Sequence, residues 1–396
     1  MRNKNIEGLS GDMLSDDFIR IFQPIFFILR VMGLLRVSIM YRYPTPPTIL
    51  YQLYSIAFWL FNVACVAYYL LNCENVFESQ YAKSTLKIGV IMNAINGTLL
   101  TFRNNSYKSY KMGQMFVKLQ KIERCLKMKN STSSNKQFSN QTSLLVWISG
   151  VLSIFWLLIL NGLFMQRTCA ALLLTLFMGV AIHIEVAQGT FIIRLITIRV
   201  NYINNLLHEK SIATKKSLQN SLSERKLFYL NSAGMTENGT LGELVPAMHC
   251  ILDTLADFTE LFQFSIFCFV CQSLAWNLVA IYNLLSSIRE QVKADFDLLL
   301  YVTPFLMFTH IVVLSSCLYT QRLSTRLEKS RKLYIDIIST SYEGKSRDYA
   351  KQLILLVEGR RSVSIYNIYT LGTRLPVHLL SITASYTVVL LQFALL

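Results

Sequence analysis

Long apolar runs separated by basic gaps dominate this chain. A helix crosses about 30 Å of hydrocarbon with about 20 mostly apolar residues, and runs of that kind cover 49–71, 84–102, 144–166, 169–192, 264–285, 298–320 and 375–396. They predict seven membrane-spanning helices. The second run is the weakest, because Lys87, Asn93, Asn96 and Gly97 interrupt it, and only Arg167 and Thr168 separate the third from the fourth, which makes them a tight antiparallel hairpin. An eighth run, 21–39, contains Arg30 and Arg36 and leads into Pro44, Pro46 and Pro47. An arginine at a span centre costs about 2.5–3.5 kcal/mol, so this run is expected to lie at the inner membrane surface as an amphipathic segment, with its arginines toward the headgroups. It does not read as a signal peptide, since residues 1–20 are polar and no small-residue cleavage site follows.

The apolar periodicity outlasts several spans. Leu195, Ile198, Val200, Ile203 and Leu206 recur at near-helical spacing after the fourth, as do Met248, Leu252, Leu255, Phe258 and Leu261 before the fifth. Beyond the sixth, Leu323, Leu327, Leu333, Ile335 and Ile338 stand among Arg322, Arg326, Lys329, Arg331 and Lys332. These spans are therefore expected to continue as helices outside the bilayer. The stretches 131–141 and 211–242, rich in Ser, Asn, Thr and Lys, read as flexible.

Charge sets the expected orientation. The net charge is +15, with 53% hydrophobic and only 15% charged residues. The basic residues fill alternate gaps: those around and after the first, third and fifth runs hold only Lys83 and Lys87, Arg167, and Arg289 and Lys293. Cytoplasmic loops retain Lys and Arg, so the N-terminus is expected in the cytosol and the C-terminus outside. The basic residues form no aromatic-interleaved stripe, which argues against nucleic acid. Four parts follow: 1–48, cytoplasmic with the interfacial segment; 49–319, six spans with basic inner loops; 320–374, a cytoplasmic helical anchor; and 375–396, the seventh helix. Asn104, Asn130, Asn140 and Asn238 begin N-x-S/T triplets in expected inner loops and should stay unglycosylated.

No catalytic fingerprint is present, and no metal or cofactor is called for. Cys268 and Cys271 form a C-x-x-C within an apolar helix, which suits packing better than metal or redox chemistry. Cys73 and Cys169 are the two cysteines the topology brings toward the outer surface. A small-molecule pocket between spans would draw on polar and aromatic side chains of their outer halves, which nominates Asn93, Trp156, Trp276, Tyr301 and His310. His183 and Glu185 sit in the inner half of the fourth span, where a helix-to-helix hydrogen bond is the better reading.

The last helix carries the most specific signal. Tyr386, the five residues Thr387 to Leu391, then Gln392 and Phe393 reproduce the T-Y-x5-Q-F signature of insect gustatory receptors, with Ser385 in place of the Thr. The chain resembles that family in architecture throughout and in specific residues over about its last ten. The resemblance implies a tastant-gated, non-selective cation channel in the plasma membrane of chemosensory neurons. It also implies a homotetramer or a heterotetramer with other gustatory receptors, around one pore lined by the seventh helices. On that basis Ser385, Tyr386, Leu390, Gln392 and Phe393 are the pore and gate candidates. Four copies of a helix bearing Ser, Thr and Gln would make a wet path, and Leu390 and Phe393 an apolar constriction. Thr387 stands where sugar-sensing members usually carry an acid, which tilts the expectation toward bitter or other plant-derived compounds. Insect odorant receptors share the architecture but lack the Q-F ending. A G-protein-coupled receptor has the opposite orientation, and a secondary transporter should show repeats and broken helices, of which only Pro304 gives a hint.

Overall fold

The computed structural model describes residues 12–72, 80–105, 108–126, 128, 169–223, 234–289, 296–340, 345–359 and 362–395. The fold is all-α, as expected. Among the described residues the helices are α1 (Asp16–Val31), α2 (Ile49–Asn72), α3 (Gln80–Asn105), α4 (Lys108–Cys125), α5 (Cys169–Ser223), α6 (Gly234–Arg289), α7 (Phe296–Thr340), α8 (Lys345–Glu358) and α9 (Arg374–Leu395). Two short antiparallel hairpins accompany them, β1 (Ser38–Met40) with β2 (Tyr43–Thr45), and β3 (Ser364–Ile365) with β4 (Tyr369–Thr370).

Six of the seven expected spans fall on helices α2, α3, α5, α6, α7 and α9; the third, 144–166, lies outside the described residues, as does the Cys73 end of the Cys73–Cys169 pair. Four helices contain described stretches long and apolar enough to cross a membrane: Ile49–Tyr68, Ala181–Glu209, Leu244–Tyr282 and Arg374–Gln392. With 55, 56 and 45 residues, α5, α6 and α7 do run on well past their apolar segments. Part of the expected loop over 211–242 is helical instead, since α5 continues to Ser223 and α6 begins at Gly234.

The extensions exist because their apolar stripes meet. Leu195, Val200 and Ile203 of α5, Met248, Leu252, Leu255, Phe258 and Leu261 of α6, and Leu323 and Leu327 of α7 are all buried. Helix α6 is the centre of the assembly, with α3, α4, α5, α7, α8 and α9 packed on it. Polar pairs fix the register of this distal bundle: Asn204 Nδ2 donates to the Arg326 carbonyl at 2.9 Å, and Ser330 Oγ donates to Asn204 Oδ1 at 2.6 Å. Lys118 of α4 pairs with Asp257 of α6 at 2.5 Å.

The 21–39 run departs from the expectation at its apolar face and at Arg36. Its helical part is amphipathic, but the apolar face of α1 (Phe18, Ile21, Phe22, Ile25 and Leu29) is buried in protein. Phe18, Phe22 and Phe26 ring Phe116 of α4, with centroids 4.9–6.1 Å away. Arg36 does not face headgroups: it is 4% exposed and ion-paired with Glu185 of α5. The helix starts on Ser15, whose Oγ accepts from the Phe18 N–H at 3.3 Å. It stops at Gly33, whose φ of 69° admits the left-handed turn of a Schellman ending; the Leu34 N–H reaches the Leu29 carbonyl at 2.8 Å and the Gly33 N–H the Arg30 carbonyl at 3.3 Å.

Candidate ligand seam and the α9 stripe

Helix α3 lies between α2 and α6, and two of its glycines let indoles approach the backbone. A Cβ at Gly97 would fall within the Trp59 ring of α2, and one at Gly89 within the Trp276 ring of α6. Small residues serve this purpose in lipid, where packing rather than hydrophobicity holds helices together. Trp276, a ligand candidate on sequence grounds, packs against Gly89 at 4% exposure.

One to two turns along from Gly89 the same interface becomes polar. Gln272 of α6 donates through Nε2 to Asn93 Oδ1 at 2.6 Å and accepts at Oε1 from Asn96 Nδ2 at 3.3 Å. Asn93 and Gln272 are both buried. Across α6, His183 Nε2 of α5 lies 2.7 Å from Thr309 Oγ1 of α7. The imidazole stands edge-on to Phe269 at 4.8 Å and stacks on Phe308 at 5.2 Å. The helix-to-helix bond expected of His183 is thus present. The seam combines apolar walls with a few fixed polar groups, which is the chemistry that orients a small ligand.

Three of the five ligand candidates have described side chains. Asn93 and Trp276 share the α3–α6 interface. His310 is exposed on α7, with Nδ1 2.6 Å from the Leu306 carbonyl of its own helix and Nε2 3.5 Å from Asn277 Nδ2. Tyr301 belongs to α7, but its side chain, like all of Trp156, lies outside the described residues. Sequence reasoning missed Gln272 and Thr309; a lone Gln in an apolar run was the available signal for the first.

Glu185 also makes its expected bond between helices. It takes hydrogen bonds from Arg36 and from Ser265 of α6, and Arg36 Nη1 donates to the Leu261 carbonyl at 3.1 Å, with its guanidinium 5.1 Å from the Phe262 centroid. Burial, with Arg103 nearby, pulls Arg36 down to about 9, which leaves it a cation at neutral pH. Three chain segments therefore meet at one buried ion pair.

Helix α9 is the least covered apolar helix of the described chain. Its half-buried stripe of Leu379, Thr383, Thr387 and Leu390 faces the chain, where it packs on α6 and α7. His378, Ser381, Ser385, Val388 and Gln392 recur at helical spacing on an exposed stripe, and Tyr386 is 54% exposed beside it. The hydroxyls bond back within the helix: Thr383 to Leu379, Ser385 to Ser381 and Thr387 to Thr383, at 2.7–2.9 Å. Leu390 thus stands on the inward stripe and Ser385 and Gln392 on the outward one. Phe393 belongs to the last turn of the same helix, and its side chain lies outside the described residues.

No protein-family profile and no curated protein sequence matches the chain. Solved structures do. The insect olfactory receptor OR5 from Machilis hrabei superposes with a TM-score of 0.66 at 15% identity, over 96% of this chain and 100% of that one. Its complex with eugenol gives 0.62 at 15% identity over the same shares. The chain has the fold of that insect olfactory receptor, and four of its helices contain stretches long and apolar enough to cross a membrane.

Proposed function

We propose that this chain is a gustatory-type insect chemoreceptor: a subunit of a tastant-gated, non-selective cation channel in the plasma membrane of chemosensory neurons. The observation that carries the reading is the outward stripe of α9. A helix apolar enough to span a bilayer exposes His378, Ser381, Ser385 and Gln392 on the side its own chain leaves uncovered. Polar groups of that kind are costly against lipid. Copies of α9 around a shared axis would turn the stripe to water, with Gln392 and Phe393 at the constriction and Tyr386 and Leu390 packing behind them. No acid lies on α9, so weak discrimination among cations is expected, with charge selection at the mouths.

The N-terminus lies in the cytosol in this reading, and the distal parts of α5 to α7 with α8 form the anchor where subunits meet. Ligands are plant-derived compounds of bitter character, received in the outer halves of the spans near Asn93 and Gln272. The Ser385-Tyr386 and Gln392-Phe393 pairs favour the gustatory branch. The olfactory branch is the second reading, favoured by the receptor whose structure matches.

The test is current in excised patches from cells expressing the chain, against plant alkaloids, glycosides, sugars and eugenol. Ligand-evoked cation current that persists without cytosolic factors, and whose permeation changes in Gln392→Ala and Phe393→Ala, is the expected result. A response lost when G proteins are blocked would overturn the mechanism. Wild-type permeation in both variants would remove α9 from the pore.

A further inference from the structure

The apolar face of α1 is spent on protein, yet its other face is not plain solvent surface. Asp16, Arg20, Gln23, Phe27 and Arg30 follow one another at intervals of three and four residues, and all are exposed. The stripe changes character along its length. Its first turn is acidic, with Asp16 paired to Arg42 at 2.7 Å, whereas its last turns present Phe27 at 67%, Val31 at 45% and the cation of Arg30.

The depth of that end is fixed by α2. Tyr51 Oη lies 3.2 Å from both the Leu29 and Arg30 carbonyls, Tyr54 Oη donates to the Val31 carbonyl at 2.6 Å, and Ser55 Oγ donates to the Gly33 carbonyl at 2.5 Å. The carbonyls of Leu29 and Arg30, met also by the Schellman turn, and those of Val31 and Gly33 thus accept from residues in the first two turns of α2. At a rise of 1.5 Å per residue those turns cover about 10 Å. They open the apolar stretch Ile49–Tyr68, and their other faces expose Ile49, Leu50 and Leu53 at 75%, 80% and 58%. The hydroxyls that hold α1 therefore hold its end level with the start of hydrocarbon.

We infer that the C-terminal half of the α1 stripe is a lipid-contact surface, with Phe27 and Val31 at the upper acyl chains and Arg30 on an anionic headgroup, while the acidic first turn tilts away. The chemistry selects this partner. An aromatic ring and a cation at the level of exposed aliphatic residues suit an anionic leaflet, and the acids that such a leaflet would repel stand at the far end. The surface rests on α2 being a membrane span, not on the identity of the ligand.

The experiment uses the full chain in nanodiscs of phosphatidylcholine with or without phosphatidylserine, each lipid in turn brominated on its upper acyl carbons. Phe27→Trp and, separately, Leu50→Trp report by bromine quenching, each read as the increment over the four native tryptophans. Both substitutions fall on exposed positions. Quenching of both reporters is expected, with brominated phosphatidylserine favoured at position 27 and that preference about fivefold weaker in Phe27→Trp/Arg30→Gln, the change for one arginine at an anionic surface. Quenching at position 50 without quenching at position 27 would overturn the lipid contact, and a second copy of the chain seated on the stripe would give that result. An unchanged preference in the Arg30 variant would remove the headgroup contact. Absence of quenching at both positions would instead sink α2 as a span.

Discussion

The Arg36–Glu185 pair gives the sharpest prediction, because both groups are nearly sealed from water, with side chains 3% and 1% exposed. Arg36→Met removes the cation and leaves the Glu185 carboxylate with Ser265 as its remaining donor in this network; its Oε2 has no partner among the described residues even in the intact protein. Breaking one side of a buried pair costs about 3–5 kcal/mol, because the survivor stays buried and uncompensated. That is roughly two to three and a half powers of ten in the folded ratio. Replacing both partners with apolar residues of similar volume removes the desolvation cost on each side and is often neutral. Arg36→Met is therefore expected to collapse the monodisperse peak of detergent-solubilised protein at a temperature the wild type survives, and Arg36→Met/Glu185→Leu to recover most of it. The measurement is fluorescence-detected size exclusion after a temperature series. A double variant no better than the single would refute the reasoning, since the loss would then lie in packing around Phe262 rather than in the orphaned charge.

Three further outcomes follow from the packing. Gly97→Ala drives a methyl into the Trp59 ring and should cost about 1–3 kcal/mol as overpacking; in the same thermal series Trp59→Ala combined with Gly97→Ala should be less damaging than the two single losses added. Gln272→Ala leaves Asn93 and Asn96 without their shared partner and should cost about 1–3 kcal/mol, with any ligand response shifted to higher concentration in patch recordings; an unshifted response at normal surface expression would place the ligand elsewhere. Tyr334 is fully buried, its hydroxyl has no partner among the described residues, and burial pushes its phenol upward. Tyr334→Phe should therefore match or exceed wild-type melting, because an unpaired buried hydroxyl is a cost; a drop of several degrees would mean that the hydroxyl holds a water.

Helix periods and span lengths were legible because they are local. The stripes over 195–206 and 248–261 predicted extensions that the long helices carry out, and the apolar runs predicted α2, α5, α6 and α9. Pairing was not legible. Arg36 read as a penalty against insertion, since its partner stands 149 positions away and no window of hydropathy contains both. Gly97, Asn93 and Asn96 likewise read as defects that weakened the second span. In the fold they are what joins α3 to its neighbours, one by admitting Trp59 and two by bonding Gln272. A hydropathy sum charges small and amide residues against a span, whereas helices in lipid associate through close packing and polar contacts.

The α9 stripe shows how sequence and structure divide the argument about a pore. The hydroxyls of Thr383, Ser385 and Thr387 satisfy themselves on carbonyls one turn back, so their presence alone is compatible with lipid, with a neighbouring helix or with water. Gln392 is different in kind. An exposed amide carries two donors and an acceptor, more than one turn of its own helix can satisfy, and lipid would leave the remainder unpaired at a cost of several kcal/mol. Its companions on the stripe, His378 and Ser381, lie on the same uncovered side, which excludes a single misplaced residue as the explanation. Only water or another polar helix meets that demand along the whole stripe. Among the described residues α9 packs mainly on α6 and α7, and in the proposed channel a water path between copies of α9 would meet the demand of the exposed stripe.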